Sequence, residues 1–139
     1  MIPSYTQYDA MNDPLLDAAA IDLTKWTVQL RKGGLGLAVL AALWPGRLYG
    51  VEMLRRLELG GGIVVPEGTI YPLMNRLKTE GLISAEWVES DAGHPRKYYQ
   101  LTASGRRHVA AMAAAWREFS GGLDVLLAPL TQSEPHDQG

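Results

Sequence analysis

The 139-residue chain contains no cysteine and only one phenylalanine. The missing thiols exclude disulfides, thiolate metal sites and cysteine nucleophiles, and they are compatible with a reducing compartment. Long hydrophobic runs are also lacking. The longest, Leu35 to Trp44, falls well short of the roughly 18 apolar residues that a bilayer span requires. No basic stretch near residue 1 leads into an apolar segment, so a soluble, cytoplasmic protein is expected. His94, His108 and His136 show no ligand spacing, and Gly60 to Gly62 lack the lysine of a phosphate-binding loop. Asp17 and Asp22 accompany no nucleophile motif. An enzyme is therefore not expected, and neither a metal nor a cofactor is implied.

Charge of one sign is scarce overall, with a formal net of −2, but its distribution is uneven. Residues 31–107 carry eleven Lys/Arg against seven Asp/Glu, whereas the flanks carry two against eight. The charge of the face that meets phosphate matters more than the total. A basic middle between acidic flanks is compatible with a small DNA reader. The apolar fraction of 47% suits one modest core, which association of two chains would help to stabilise.

The pattern along the chain is mainly helical. Residues 1–13 lack periodicity and read as a flexible arm. Asp13-Pro14 is a helix-start pair, and Leu16, Ala19, Leu23, Trp26 and Leu30 step by three and four in a heptad-like seam. Gly33, Gly34 and Gly36 are expected to weaken that helix before Leu37 to Leu43 continue it into a core, and Pro45-Gly46 stops it. A second helix is predicted from Tyr49 to Leu59, with Val51, Leu54 and Leu57 inward and Arg55 and Arg56 outward. A third covers Glu67 to Glu80, where Ile70, Leu73, Met74 and Leu77 form an amphipathic stripe closed by Gly81. Pro72 is tolerable there if the helix begins near Gly68 or Thr69.

Leu82 to Glu89 and Lys97 to Leu101 read as strands of a hairpin whose tip is Ser90 to Pro95. Thr102 then caps a last helix whose seam is Val109, Met112, Trp116, Phe119, Leu123, Leu126 and Leu130. Gly121-Gly122 is a point where this helix is expected to kink or fray. The organisation read from this pattern is a helical DNA-binding domain over 14–101, a dimerisation helix over 102–130 and a disordered tail over 131–139. The fold class is mainly α with a small β-hairpin, a winged helix-turn-helix.

In such a fold the third helix is the reader, because a single helix fits the major groove while the helix before it braces it. Glu67, Thr69, Tyr71, Asn75, Arg76 and Lys78 fall outside its apolar stripe. Asn75 suits bidentate pairing with adenine, and Arg76 suits guanine or a phosphate. An ordinary solvated helix face would present the same residue types. In the wing, Gly93-His94-Pro95 precedes Arg96 and Lys97, which can meet phosphate or enter a minor groove. A charged strand that resists aggregation would look alike. Arg106 and Arg107 either extend this basic path or are plain surface charges.

The ordered strings Leu48-Tyr49-Gly50-Val51-Glu52-Met53-Leu54, Pro66 through Leu77 with Glu80-Gly81-Leu82-Ile83, Arg96-Lys97-Tyr98-Tyr99, Leu101-Thr102 and Gly105-Arg106 together resemble the PadR family of transcriptional regulators. The likeness covers about Trp26 to Trp116. It implies a homodimer, usually a repressor, binding an inverted repeat in double-stranded DNA, with the C-terminal helix of one subunit packed on the N-terminal helix of the other. The short C-terminal segment is similar to the family's smaller subgroup. There the resemblance implies a planar aromatic effector at the dimer interface, with Trp116 stacking and Trp26, Met112 and Phe119 lining the same region. Filling the dimer seam is the alternative role for Trp116. The tri-glycine at 60–62 and the acidic N-terminal arm depart from the family pattern. A winged helix that binds proteins and no DNA is the alternative function.

Overall fold

The computed structural model describes residues 21–91 and 93–132, with side chains up to Leu130. Their element order is α1 (Thr24–Ala42), β1 (Leu48–Tyr49), α2 (Gly50–Gly61), α3 (Glu67–Thr79), β2 (Ile83–Val88), β3 (Arg96–Leu101) and α4 (Ala103–Gln132). The described residues divide into two compact units. One spans Arg31–Ala115, and the other comprises the described residues up to Leu30 and from Trp116 onward.

Within the first unit one apolar core joins helices and sheet. Val39, Leu40 and Leu43 enter it from α1 and its end, Met53 and Leu57 from α2, and Ile70, Leu73, Met74 and Leu77 from α3. Leu48, Leu82, Ile83, Tyr99 and Val109 complete its wall. Among the described residues no charged side chain is buried, and Tyr99 carries the one side-chain hydroxyl of this core, so hydrophobic contact dominates the packing.

The amphipathic reading of α3 holds at all four of its stripe positions. In α2 the expected stripe is corrected. Val51 is 48% exposed, Leu54 is partly buried, and Met53 packs with Leu57. Gly50, Met53, Leu54 and Leu57 follow i, i+3, i+4 and i+7, so they form the inward face, and Val51 lies outside it. α2 then runs to Gly61 and ends at Gly62, whose φ of 66° suits glycine.

The glycines at 33, 34 and 36 leave α1 unbroken, because its last turns are anchored by Val39 and Leu40. The expected helix start at Asp13-Pro14 and the seam residues Leu16 and Ala19 lie outside the described residues. Gly121-Gly122 likewise does not interrupt α4, which extends to Gln132, two residues into the predicted tail. The rest of that tail is outside the described residues.

Pro72 sits sixth in α3, beyond the four amides that any helix leaves free. It deprives the Gly68 carbonyl of its helical donor. Gly68 and Pro72 are both exposed, so that carbonyl is open to solvent and its lost bond does not end the helix.

The ends of α3 and α4 are spliced. The Leu82 amide donates to the Leu77 carbonyl at 3.0 Å and the Gly81 amide to Lys78 at 3.0 Å, with Gly81 at φ 81°. The Thr102 hydroxyl donates to the Gly81 carbonyl at 2.7 Å and accepts from the Gly105 amide at 2.9 Å. It is the helix cap expected from sequence. The Thr102 amide returns to the Leu82 carbonyl at 3.1 Å.

Gly105 is buried beneath that carbonyl, and a Cβ there would lie 1.9 Å from the Leu82 oxygen. Gly105→Ala is therefore expected to destabilise the protein by about 1–3 kcal/mol in urea denaturation. Gly33, in α1, has open space around its Cβ position, and Gly33→Ala should stabilise by about 0.5–1 kcal/mol. Equal effects from the two substitutions would contradict the packing described.

Candidate nucleic-acid interface

The buried stripe of α3 fixes which side of the helix faces outward. At roughly 100° per residue, the side opposite Ile70, Leu73, Met74 and Leu77 carries Gly68, Pro72, Asn75 and Thr79. All four are exposed. Asn75 is thus at the centre of the ridge. Thr69 and Arg76 form one flank and are exposed; Tyr71 and Lys78 form the other.

Tyr71 departs from the expected outward position. It is partly buried against the core, and its hydroxyl occupies the space that a Cβ on Gly50 would need. The first turn of α2 is thereby seated on the flank of α3. Glycine at position 50 is what permits this approach.

Arg76 leans the other way. Its Nε lies 3.7 Å from the Glu80 carboxylate, and its guanidinium reaches to Gly36 of α1. An exposed pair of this kind contributes little to stability. With Lys32 it borders a groove of about 480 Å³ floored by Leu35, Gly36 and Leu73. That groove has a cationic rim beside the outward ridge.

The wing is a three-stranded antiparallel sheet in the order β1-β3-β2. Its register pairs Ile83 with Leu101, Ala85 with Tyr99, Trp87 with Lys97 and Val88 with Arg96. Strand side chains alternate faces. Arg96 and Lys97, adjacent in sequence, therefore project from opposite faces. Arg96 stacks over Tyr49 at 4.5 Å, next to the edge-on Tyr49–Tyr98 pair, whose ring centroids are 5.5 Å apart. Arg47 lies over Tyr98 at 4.5 Å and 3.4 Å from the Glu86 carboxylate. Lys97, on the core-side face, lies 5.9 Å from the Trp87 ring and 5.8 Å from that of Tyr99.

Arg106 is tied to Trp44, stacking on its ring at 4.6 Å and donating to its carbonyl at 3.0 Å. Arg107 is exposed on the first turns of α4. The sequence reading missed Arg47, Tyr49 and Tyr98 as partners of the wing. The period-two alternation of Arg96-Lys97-Tyr98-Tyr99 was the available signal, but the strand at 48–49 that completes this face is too short to leave a pattern.

The other candidate residues are less convergent. Met112 packs against the core of the 31–115 unit. Trp116 and Phe119 are exposed neighbours on α4, with ring centroids 6.4 Å apart. Trp26 is exposed on α1. Among the described residues no cluster of potential metal ligands occurs, and no helix is long and apolar enough to cross a membrane.

Burial raises the Tyr99 hydroxyl above its ordinary value of 10.0, and the neighbouring Tyr71 adds to the shift. The folded chain thus holds this proton more tightly than the unfolded chain. The resulting stability is complete below the unfolded value and is lost as pH rises through the folded one. Chemical denaturation from about pH 9 to about pH 11 should show an alkaline loss that Tyr99→Phe reduces. An unaltered loss in the variant would exclude Tyr99 as its source.

Comparison with known proteins gives concordant matches. A family model described as the transcriptional regulator PadR-like family matches residues 39–111. The X-ray structure of a PadR-like transcription factor from Bacteroides fragilis is 36% identical, with a TM-score of 0.62, covering 73% of this chain and 98% of that one. A PadR family transcriptional regulator from Eggerthella lenta is 34% identical, with a TM-score of 0.66, covering 76% and 91% respectively. A transcriptional regulator of Mycobacterium tuberculosis is 29% identical over 98 residues, which are 68% of this chain and 90% of that protein.

Proposed function

The chain belongs to the PadR-like family of transcriptional regulators, and from that premise we propose that it is a homodimeric repressor that reads an inverted repeat in duplex DNA and is released by a planar aromatic effector. Family members are regulators rather than enzymes. The observation that carries the proposal is the outward ridge of α3. Its polar side chains are exposed opposite a fully buried stripe, and α2 braces it through Gly50 and Tyr71.

In this reading residues 14–101 form the DNA-binding domain and residues 102–130 the dimerisation helix. Asn75, at the ridge centre, reads a base edge, with Thr69 and Arg76 on one side and Lys78 on the other. Tyr71 sets the angle of the reader and offers its hydroxyl near the first turn of α2. Arg96 and Lys97 meet phosphate from the two faces of the wing, Arg96 held ready by stacking on Tyr49. Dimerisation is supported by the exposed apolar side chains of a single chain, Trp26 and Leu30 on α1 and Trp116, Phe119, Leu123 and Leu126 on α4. Such surface is unusual on a monomer. Trp116 and Phe119 offer flat faces for an aromatic effector, with Trp26 and Met112 lining the same region in the dimer.

Fluorescence anisotropy with labelled duplexes tests the DNA arm. Replacing both Arg96 and Lys97 by Ala should weaken binding to specific and random duplexes alike and lower the salt slope by up to about 2. Asn75→Ala should cost about 1–3 kcal/mol on the specific duplex only. Equal losses on both duplexes would contradict base reading, and no duplex binding by the wild type would leave a protein-binding module. For the effector arm, Trp116→Ala should abolish quenching by planar aromatic ligands in a protein that remains folded. Retained quenching and affinity would remove Trp116 from the pocket.

A further inference from the structure

The least explained side chain in the wing is Trp87. It is 67% exposed, and it sits on β2, an edge strand of the sheet. The register fixes its direction. Ile83 and Ala85 face the core from the same strand, opposite Leu101 and Tyr99. Trp87 continues that face two residues past Ala85, opposite Lys97. An indole is among the largest apolar surfaces a residue can offer, and burial of such a side chain is strongly favourable. Here that surface is left to water at the end of a face that packs on α3 further down.

The chemistry around Trp87 identifies what would cover it. Lys97 lies near two rings, 5.9 Å from Trp87 and 5.8 Å from Tyr99. Its ammonium therefore lies on the same face as both rings. An apolar plate with a cation at its edge matches the sugar-phosphate backbone, which alternates an apolar deoxyribose with an anion. The cation of the other face, Arg96, is already stacked on Tyr49, so the two faces differ in what they offer.

We propose that Trp87 is a DNA-contacting residue, its indole packing against deoxyribose at the edge of a minor groove while Lys97 neutralises the adjoining phosphate. The proposal rests on the DNA-binding reading above and adds to it an apolar contact that carries no charge. The contact separates the two roles of the wing, since Lys97 supplies salt-dependent attraction and Trp87 supplies salt-independent fit.

The test uses the full chain, the duplex upstream of its own gene and a random duplex of equal length. Trp87→Ala should weaken binding to both by about tenfold, equivalent to about 1.4 kcal/mol, with an unchanged salt slope, because an indole neutralises no phosphate. Lys97→Ala should lower the slope by about 1. Trp87→Phe, which keeps an aromatic ring, should recover part of the affinity while losing most of the duplex-dependent change in tryptophan emission. Wild-type affinity and emission change in the Trp87 variants would overturn this contact while leaving the regulator reading intact. Absence of duplex binding by the wild type would overturn both. A shift of the monomer–dimer equilibrium in Trp87→Ala, seen by sedimentation without loss of duplex affinity, would assign the ring to a second copy of the chain and overturn the proposal.

Discussion

The rotation of α3 about its own axis is the constraint on which the rest depends. Four buried side chains, Ile70, Leu73, Met74 and Leu77, hold it. Exposing them would forfeit roughly 1.5–3 kcal/mol for each, which no rearrangement of surface charges offsets. With that rotation fixed, Asn75 points away from the core, Arg76 leans toward α1 and Tyr71 leans toward α2. The close approach at Gly50 then sets how near α2 comes to the outward ridge. Sequence identity at a few small or apolar positions thus determines where the polar ridge is presented.

The hairpin adds a second geometric rule. Alternation along β3 distributes adjacent cations to opposite faces, and the aromatic residues beside them differ. Arg96 joins a lattice of Tyr49, Tyr98, Arg47 and Glu86, in which each cation rests on a ring. Lys97 shares its face with Trp87 and Tyr99. A wing built this way carries cations stacked on tyrosines on one face and a largely exposed indole beside a lysine on the other.

Much of this was legible in the residues. The period of α3 was plain because Ile70, Leu73, Met74 and Leu77 follow one helical face, and Thr102 declared the start of α4 through its capping chemistry. The strands of the wing were visible as aromatic runs around a turn. What failed to show had physical reasons. The two-residue strand at Leu48–Tyr49 is shorter than any period, and in α2 the apolar residues Val51 and Met53 offered two competing stripes, of which the one through Met53 is buried. Glycines 33, 34, 36, 121 and 122 looked like breaks, yet local propensity of about 1 kcal/mol each yields to cooperative helix formation across their neighbours. The inward lean of Tyr71 depends on a glycine on another helix, which no local pattern encodes.

The splice between α3 and α4 has a mechanical meaning. Leu82, Thr102 and Gly105 lock the last turn of α3 to the first turn of α4 through a few short bonds. Within the 31–115 unit α3 is thus fixed at two places, by this splice at its tail and by the seat on Gly50 nearer its head. Any displacement of the first turn of α4 must therefore carry the tail of α3 with it, because Thr102 is bonded to both the Gly81 and Leu82 carbonyls.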